Sequence, residues 1–150
     1  MKFFTHSVAE TERLGERLGR ALRGDEIIAF TGGLGMGKTA FVRGLARGLG
    51  SDADVTSPTF ALMNQYTGGR ADLLHFDVYR IHGFDALYDI GFFDWVGSAV
   101  IAIEWSENIA DALPDNVLRV DIARGATECD RIITIDDSAA PLPTETEAPK

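Results

Sequence analysis

The chain has 150 residues and one cysteine, Cys129, which bounds it to about one domain and excludes an internal disulfide framework. Its formal net charge of −9 argues against generic nucleic-acid binding, but residues 1–50 hold eight of the 14 basic residues and five of the 23 acidic ones, net +3, against −12 for the remainder; an anionic ligand is therefore expected in the first third. No Cys/His cluster has zinc spacing, no 18-residue apolar run exists and no secretory leader is visible, so a cytoplasmic protein without structural zinc or a membrane span is expected.

Residues 3–6 (Phe-Phe-Thr-His) read as a short strand. Ser7 followed by Glu10 fits a capping box, and Leu14, Leu18 and Leu22 recur every four residues, which predicts a helix over 8–22 stopped by Gly24. Arg13, Arg17, Arg20 and Arg23 share another face of it. That face reads as solvated, with Glu10, Glu12 and Glu16 nearby, the alternative being a docking surface for an acidic partner or RNA. Residues 26–31 (EIIAFT) suit a strand buried on both faces, and residues 38–49 predict a helix with Phe41, Val42, Leu45 and Leu49 inward and Gly50 as its stop. Pro58 has no N–H for a ladder, so residues 55–59 read as a strand end and turn. Residues 60–66 and 71–76 read as hairpin strands across Gly68-Gly69. Residues 85–95 are helical or irregular, 99–103 (AVIAI) form a second doubly buried strand, and 117–122 with 131–135 suggest an antiparallel pair. From Ser138 the composition turns to Ala, Pro, Thr and Glu, so one domain over 1–137 and a disordered tail over 138–150 are expected.

Gly32-x-x-x-x-Gly37-Lys38-Thr39 matches the phosphate-loop pattern, with an apolar strand before it and an amphipathic helix after. Backbone N–H groups that turn inward form a concave anion site that side chains would obstruct, hence glycine at 32, 33, 35 and 37. The helix adds the positive end of its dipole. Gly33, Leu34, Gly35, Met36, Gly37, Lys38, Thr39 and Ala40 are the expected nucleotide-binding residues. Of these, Ala40 N–H is directed to the α-phosphate, Lys38 to the β- and γ-phosphates, and the Thr39 hydroxyl to Mg²⁺.

Hydrolysis needs a further acid on the magnesium side, at the end of a buried strand. Glu104 closes VIAIE and is the favoured metal-side residue; Asp77 closes LLHFD and is expected as a second metal-side or water-orienting acid. Lys38, Asp77 and Glu104 are thus the candidate catalytic residues, with Thr39 and Glu104 on the metal. No N-K-x-D guanine reader occurs, which makes ATP the expected nucleotide. His75 reads as a satisfied sheet histidine and Arg80 as a surface arginine, the alternatives being an acid/base group and a charge-neutralising finger. Cys129 reads as inert.

Four stretches together resemble a known family: Gly32 to Thr39, Thr56-Ser57-Pro58-Thr59-Phe60, His75-Phe76-Asp77-Val78-Tyr79-Arg80, and Ile103-Glu104-Trp105. In this order and spacing the chain resembles TsaE (YjeE), small bacterial ATPases needed to make threonylcarbamoyladenosine in tRNA. The resemblance runs from about residue 4 to residue 135. It implies that the chain binds a threonylcarbamoyl-transferase complex of the TsaB–TsaD type and resets it by binding and hydrolysing ATP to ADP. tRNA is then met only indirectly. It further implies that Thr39 and Glu104 hold Mg²⁺, that Asp77 is required for activity, that residues 57–60 resemble a switch loop sensing the γ-phosphate, and that Trp105 adjoins the nucleotide. Gly33 and Met36 depart from the family's usual residues.

The expected fold is α/β and P-loop NTPase-like, with a mainly parallel central sheet flanked by helices on both faces and late antiparallel strands added. A magnesium-dependent ATPase with slow turnover in the absence of partners is the expected activity. A nucleotide-dependent binding module and a small-molecule kinase are the alternatives.

Overall fold

Apolar runs covered on both faces belong at the centre of a sheet, and short or alternating ones at its edges. The computed structural model describes residues 1–32, 37–52, 55, 63–78, 84–89 and 91–138. The chain runs β1 (Lys2–Thr5), α1 (Val8–Ala21), β2 (Ile27–Thr31), α2 (Lys38–Gly48), β3 (Met63–Tyr66), β4 (Leu73–Asp77), α3 (Phe84–Asp89), α4 (Phe92–Trp95), β5 (Val100–Glu104), a 3-10 helix (Ser106–Ala112), β6 (Val117–Arg124) and β7 (Arg131–Asp136). The strands form one sheet in the order β1-β7-β6-β2-β5-β4-β3. The four central strands β6, β2, β5 and β4 are mutually parallel, and the three pairings outside them are antiparallel.

Alternation along the strands divides the core in two. Leu73, Val100, Ala102, Ile28, Phe30 and Val120 face α1 and α2, packing with Leu14, Leu18, Phe41 and Leu45. Leu74, Phe76, Ile101, Ile103, Ile27 and Ala29 face the other way, against Leu87, Phe92 and Ile109 of α3, α4 and the 3-10 helix. Helices therefore lie on both faces, as the sequence predicts.

Helices α1 and α2 touch backbone to backbone. A Cβ on Gly44 would stand 2.0 Å from Glu12 O, and one on Gly48 2.3 Å from Glu16 O. From the other side, a Cβ on Gly15 would lie 2.3 Å from Phe41 O, and one on Gly19 2.6 Å from Leu45 O. Two glycines four residues apart on each helix form a common contact strip, which the reading of single glycines as stops overlooked. The strip sets how closely the phosphate-loop helix sits on α1.

Ser7 caps α1 by accepting from Glu10 N (3.1 Å), as the capping box predicts. The buried Glu26 carboxylate accepts from the backbone N–H groups of Arg23 (2.7 Å), Gly24 (2.9 Å) and Asp25 (3.1 Å), and so fixes the turn into β2. Arg13, Arg17 and Arg23 of the arginine face are exposed, as a solvated face requires. Glu16 does pair with Arg20 (2.6 Å), but Glu12 reaches across to Arg43 (2.5 Å) and Arg47 (2.9 Å) of α2. With the backbones in contact, the α2 arginines lie closer to Glu12 than those of its own helix do. Residues 85–95 resolve into two short helices broken at Gly91, whose φ is +82°. Residues 139–150 of the expected disordered tail, residues 56–59 of the turn and residues 60–62 of the first hairpin strand fall outside the described residues.

Gly44→Ala is expected to lower stability by about 1–3 kcal/mol in urea denaturation, because the two backbones must part. Unchanged stability would mean the strip is loose. A second expectation concerns acid. Burial raises the Glu12 pKa, but the hydrogen bonds and charges of Arg43 and Arg47 outweigh it and hold the carboxyl below its ordinary value. A lowered folded value contributes stability above the unfolded value, and that contribution is lost as pH falls through the folded one. The stability gap between the unaltered chain and Glu12→Gln should thus be widest near neutrality and close as acid protonates the Glu12 carboxyl. A pH-independent gap would contradict this.

Candidate functional site

The site grows from the point where β2 ends. Gly32 has φ +127°, and a Cβ there would lie 2.3 Å from Ile122 O of β6, so this exit from the strand requires glycine. Gly37, with φ +98°, precedes α2 and offers no side-chain cap, so no N-cap side chain competes for the first N–H groups of that helix. Gly33, Leu34, Gly35 and Met36 lie outside the described residues.

Lys38 is the first residue of α2 and is only 5% exposed. Its ammonium donates to Gly32 O (3.1 Å) and lies 4.3 Å above the centre of the Trp105 ring. Among the described residues no carboxylate pairs with it. An ammonium buried without a counter-ion is costly, and here it stands at a helix N-terminus to which Gly37 brings no side-chain cap. The two features together fit an anion with several oxygens, such as a phosphate chain. Thr39 follows, partly exposed, and Ala40 is buried.

The acids arrive on the neighbouring strands. In the parallel pairing of β4 and β5, Asp77 stands opposite Glu104 at their C-terminal ends. Leu73 and Ala102 face α1 and α2, so by alternation His75, Asp77 and Glu104 share that face with Lys38's helix. Glu104 is 6% exposed, and its Oε2 accepts from His75 Nε2 at 2.7 Å. Trp105 takes φ +63°, a left-handed conformation rare for a bulky residue, and this kink turns the chain just after Glu104. Ser106 then donates to Phe30 O (2.9 Å), tying the end of β5 to the end of β2 next to Gly32.

The structure thus brings Lys38 against Trp105, the residue after Glu104, and sets Asp77 beside Glu104. Residues 57–60 and Arg80 fall outside the described residues. The sequence reads His75 as satisfied, but among the described residues only one ring nitrogen is; Nδ1 has no partner there. Sequence reading also missed Ser106, whose only signal is its place directly after Glu-Trp. The Thr39 hydroxyl at the start of α2 and the carboxylates of Asp77 and Glu104 at the ends of β4 and β5 are oxygen donors, the hard ligands that magnesium takes. Among the described residues no group of three or more His, Cys, Asp or Glu could hold an ion alone, and a magnesium shared with phosphate needs none. The residues present fit the metal and the nucleotide.

A family model described as "Threonylcarbamoyl adenosine biosynthesis protein TsaE" matches residues 5–133. The chain is 39% identical over 136 residues to the tRNA threonylcarbamoyladenosine biosynthesis protein TsaE of Treponema pallidum, covering 90% of this chain and 99% of that protein. It is 33% identical over 129 residues to the protein of the same name from Bacillus subtilis, covering 85% and 80%. Its structure is similar to a crystal structure of YdiB from Bacillus subtilis, with TM-score 0.72 and 32% identity over 90% of this chain and 83% of that one.

Removing the buried charge gives a test of the site. The Trp105 contact contributes about 0.5–2 kcal/mol, and burying an ammonium without a counter-ion costs at least as much. Lys38→Met is therefore expected to leave stability within about 1 kcal/mol of the unaltered chain, or to raise it. A loss above about 3 kcal/mol would make Lys38 a structural residue.

Proposed function

The chain belongs to the TsaE family of tRNA threonylcarbamoyladenosine biosynthesis proteins, and from that premise we propose that it is a magnesium-dependent ATPase that resets a threonylcarbamoyl-transferase complex of the TsaB–TsaD type between turnovers. The observation that carries the nucleotide reading is the buried Lys38 ammonium at the helix N-terminus that Gly37 leaves without a side-chain cap.

Each residue then has a task. Backbone N–H groups from Gly33 to Ala40 cradle the phosphates, and Lys38 meets the β- and γ-phosphate oxygens in place of Gly32 O. Thr39 and Glu104 hold magnesium, directly or through water. When bound, magnesium neutralises charge developing on the transferred phosphoryl group. Asp77, beside Glu104 and partly exposed, orients the attacking water. None of these residues binds tRNA, and the −9 charge of the chain suits indirect contact with it through the partner complex. ATP and ADP are the ligands, and the cytoplasm is the compartment of this role.

Purified Lys38→Ala, Thr39→Ala and Glu104→Ala variants are each expected to lose about 100-fold or more in ATP hydrolysis. Unaltered rates in all three would contradict the site. Reconstituted multiple-turnover tRNA modification is expected to require both this chain and hydrolysable ATP. An Asp77→Ala chain that binds the transferase complex and still supports multiple turnovers would make hydrolysis dispensable and the chain a nucleotide-dependent binding module.

A further inference from the structure

His75 lies in the middle of β4, fully buried, among Leu73, Leu74 and Phe76. A leucine would satisfy the sheet there at less cost, because the imidazole brings two polar atoms into a dry layer. One of them, Nδ1, is left without a partner among the described residues, an exception that calls for a reason. The other, Nε2, donates to Glu104 Oε2 at 2.7 Å. Among the described residues this is the only hydrogen bond to the Glu104 carboxylate. The two residues sit on adjacent parallel strands, His75 opposite Ala102 and Glu104 one step further along on the same face.

We propose that His75 is a positioning residue: it grips one oxygen of the Glu104 carboxylate and fixes the rotation of that group, so that the carboxylate meets magnesium in a single orientation. The inference rests on the reading of Glu104 as the magnesium-side acid. The logic is that of a ligand whose direction is set by a partner behind it. A flexible glutamate at the end of a strand samples several rotamers; anchored at Oε2 from a rigid central strand, it keeps one. The imidazole is held in turn by the sheet itself, since its neighbours on β4 are wholly buried.

The test measures binding rather than turnover. The affinity of the full chain for a non-hydrolysable ATP analogue is determined by calorimetry in excess Mg²⁺ and in excess EDTA. His75→Ala is expected to weaken binding in Mg²⁺ by about 10- to 100-fold and to leave binding in EDTA unchanged. His75→Gln places an amide nitrogen near the position of Nε2 and should restore the gain from Mg²⁺. His75→Asn places it near Nδ1 and should not. These two polar variants decide the matter if His75→Ala fails to fold. Equal Mg²⁺ gains in Gln and Asn, or an unaltered gain in a folded Ala variant, would overturn the positioning role. Glu104→Gln separates the two levels. If it abolishes the gain while His75→Ala does not, only the role of His75 falls; if neither substitution affects it, the reading of Glu104 falls and the role of His75 with it.

Discussion

The ammonium of Lys38 is nearly buried and has no carboxylate to neutralise it among the described residues. Much of the local architecture can be understood as the means of keeping it there. A backbone carbonyl and an aromatic face are weak substitutes for a counter-ion, so the position is one of stored electrostatic demand. Strand β2 delivers Gly32 on one side. The left-handed turn at Trp105 brings the indole over on the other.

The demand is sustained because the surroundings are stiff. The glycine strip presses α2 onto α1 with no side chains between the backbones, and Glu12 bridges the same helices through Arg43 and Arg47. Below, four parallel strands order β2 between β6 and β5, and β4 beyond β5. That order puts the ends carrying Gly32, Asp77 and Glu104 along one edge of the sheet, the edge at which open parallel sheets bind their ligands. Ser106, bonded to Phe30 O, stitches two of those ends together. Sites held on rigid elements need little reorganisation when charge develops, and electrostatic stabilisation depends on that.

Much of this could be read from the amino-acid order, for reasons that differ from residue to residue. The phosphate-loop pattern is legible because backbone chemistry of that kind enforces glycine at set intervals. Glu104 stands out because four apolar residues precede it on its strand. The closeness of Asp77 and Glu104 is not visible, because nothing in either strand says that they are neighbours in register. The glycine strip escaped notice for a similar reason. Gly15, Gly19, Gly44 and Gly48 each look like a weak helix residue, and only the two helices together explain them. The pairing of Glu12 with Arg43 and Arg47 is equally invisible, because it depends on how closely α2 lies on α1. His75 looked like an ordinary sheet residue until Glu104 stood diagonally across from it.

The account turns on one juxtaposition, a lysine at the start of α2 and a glutamate at the end of β5 acting on the same ligand. A crystal structure with magnesium and a non-hydrolysable ATP analogue tests it most directly. The predicted result has Lys38 Nζ about 2.7–3.2 Å from a phosphate oxygen, with a Glu104 oxygen on the metal or on one of its waters. A nucleotide bound elsewhere, with Lys38 still on Gly32 O and Glu104 remote from the metal, would contradict it.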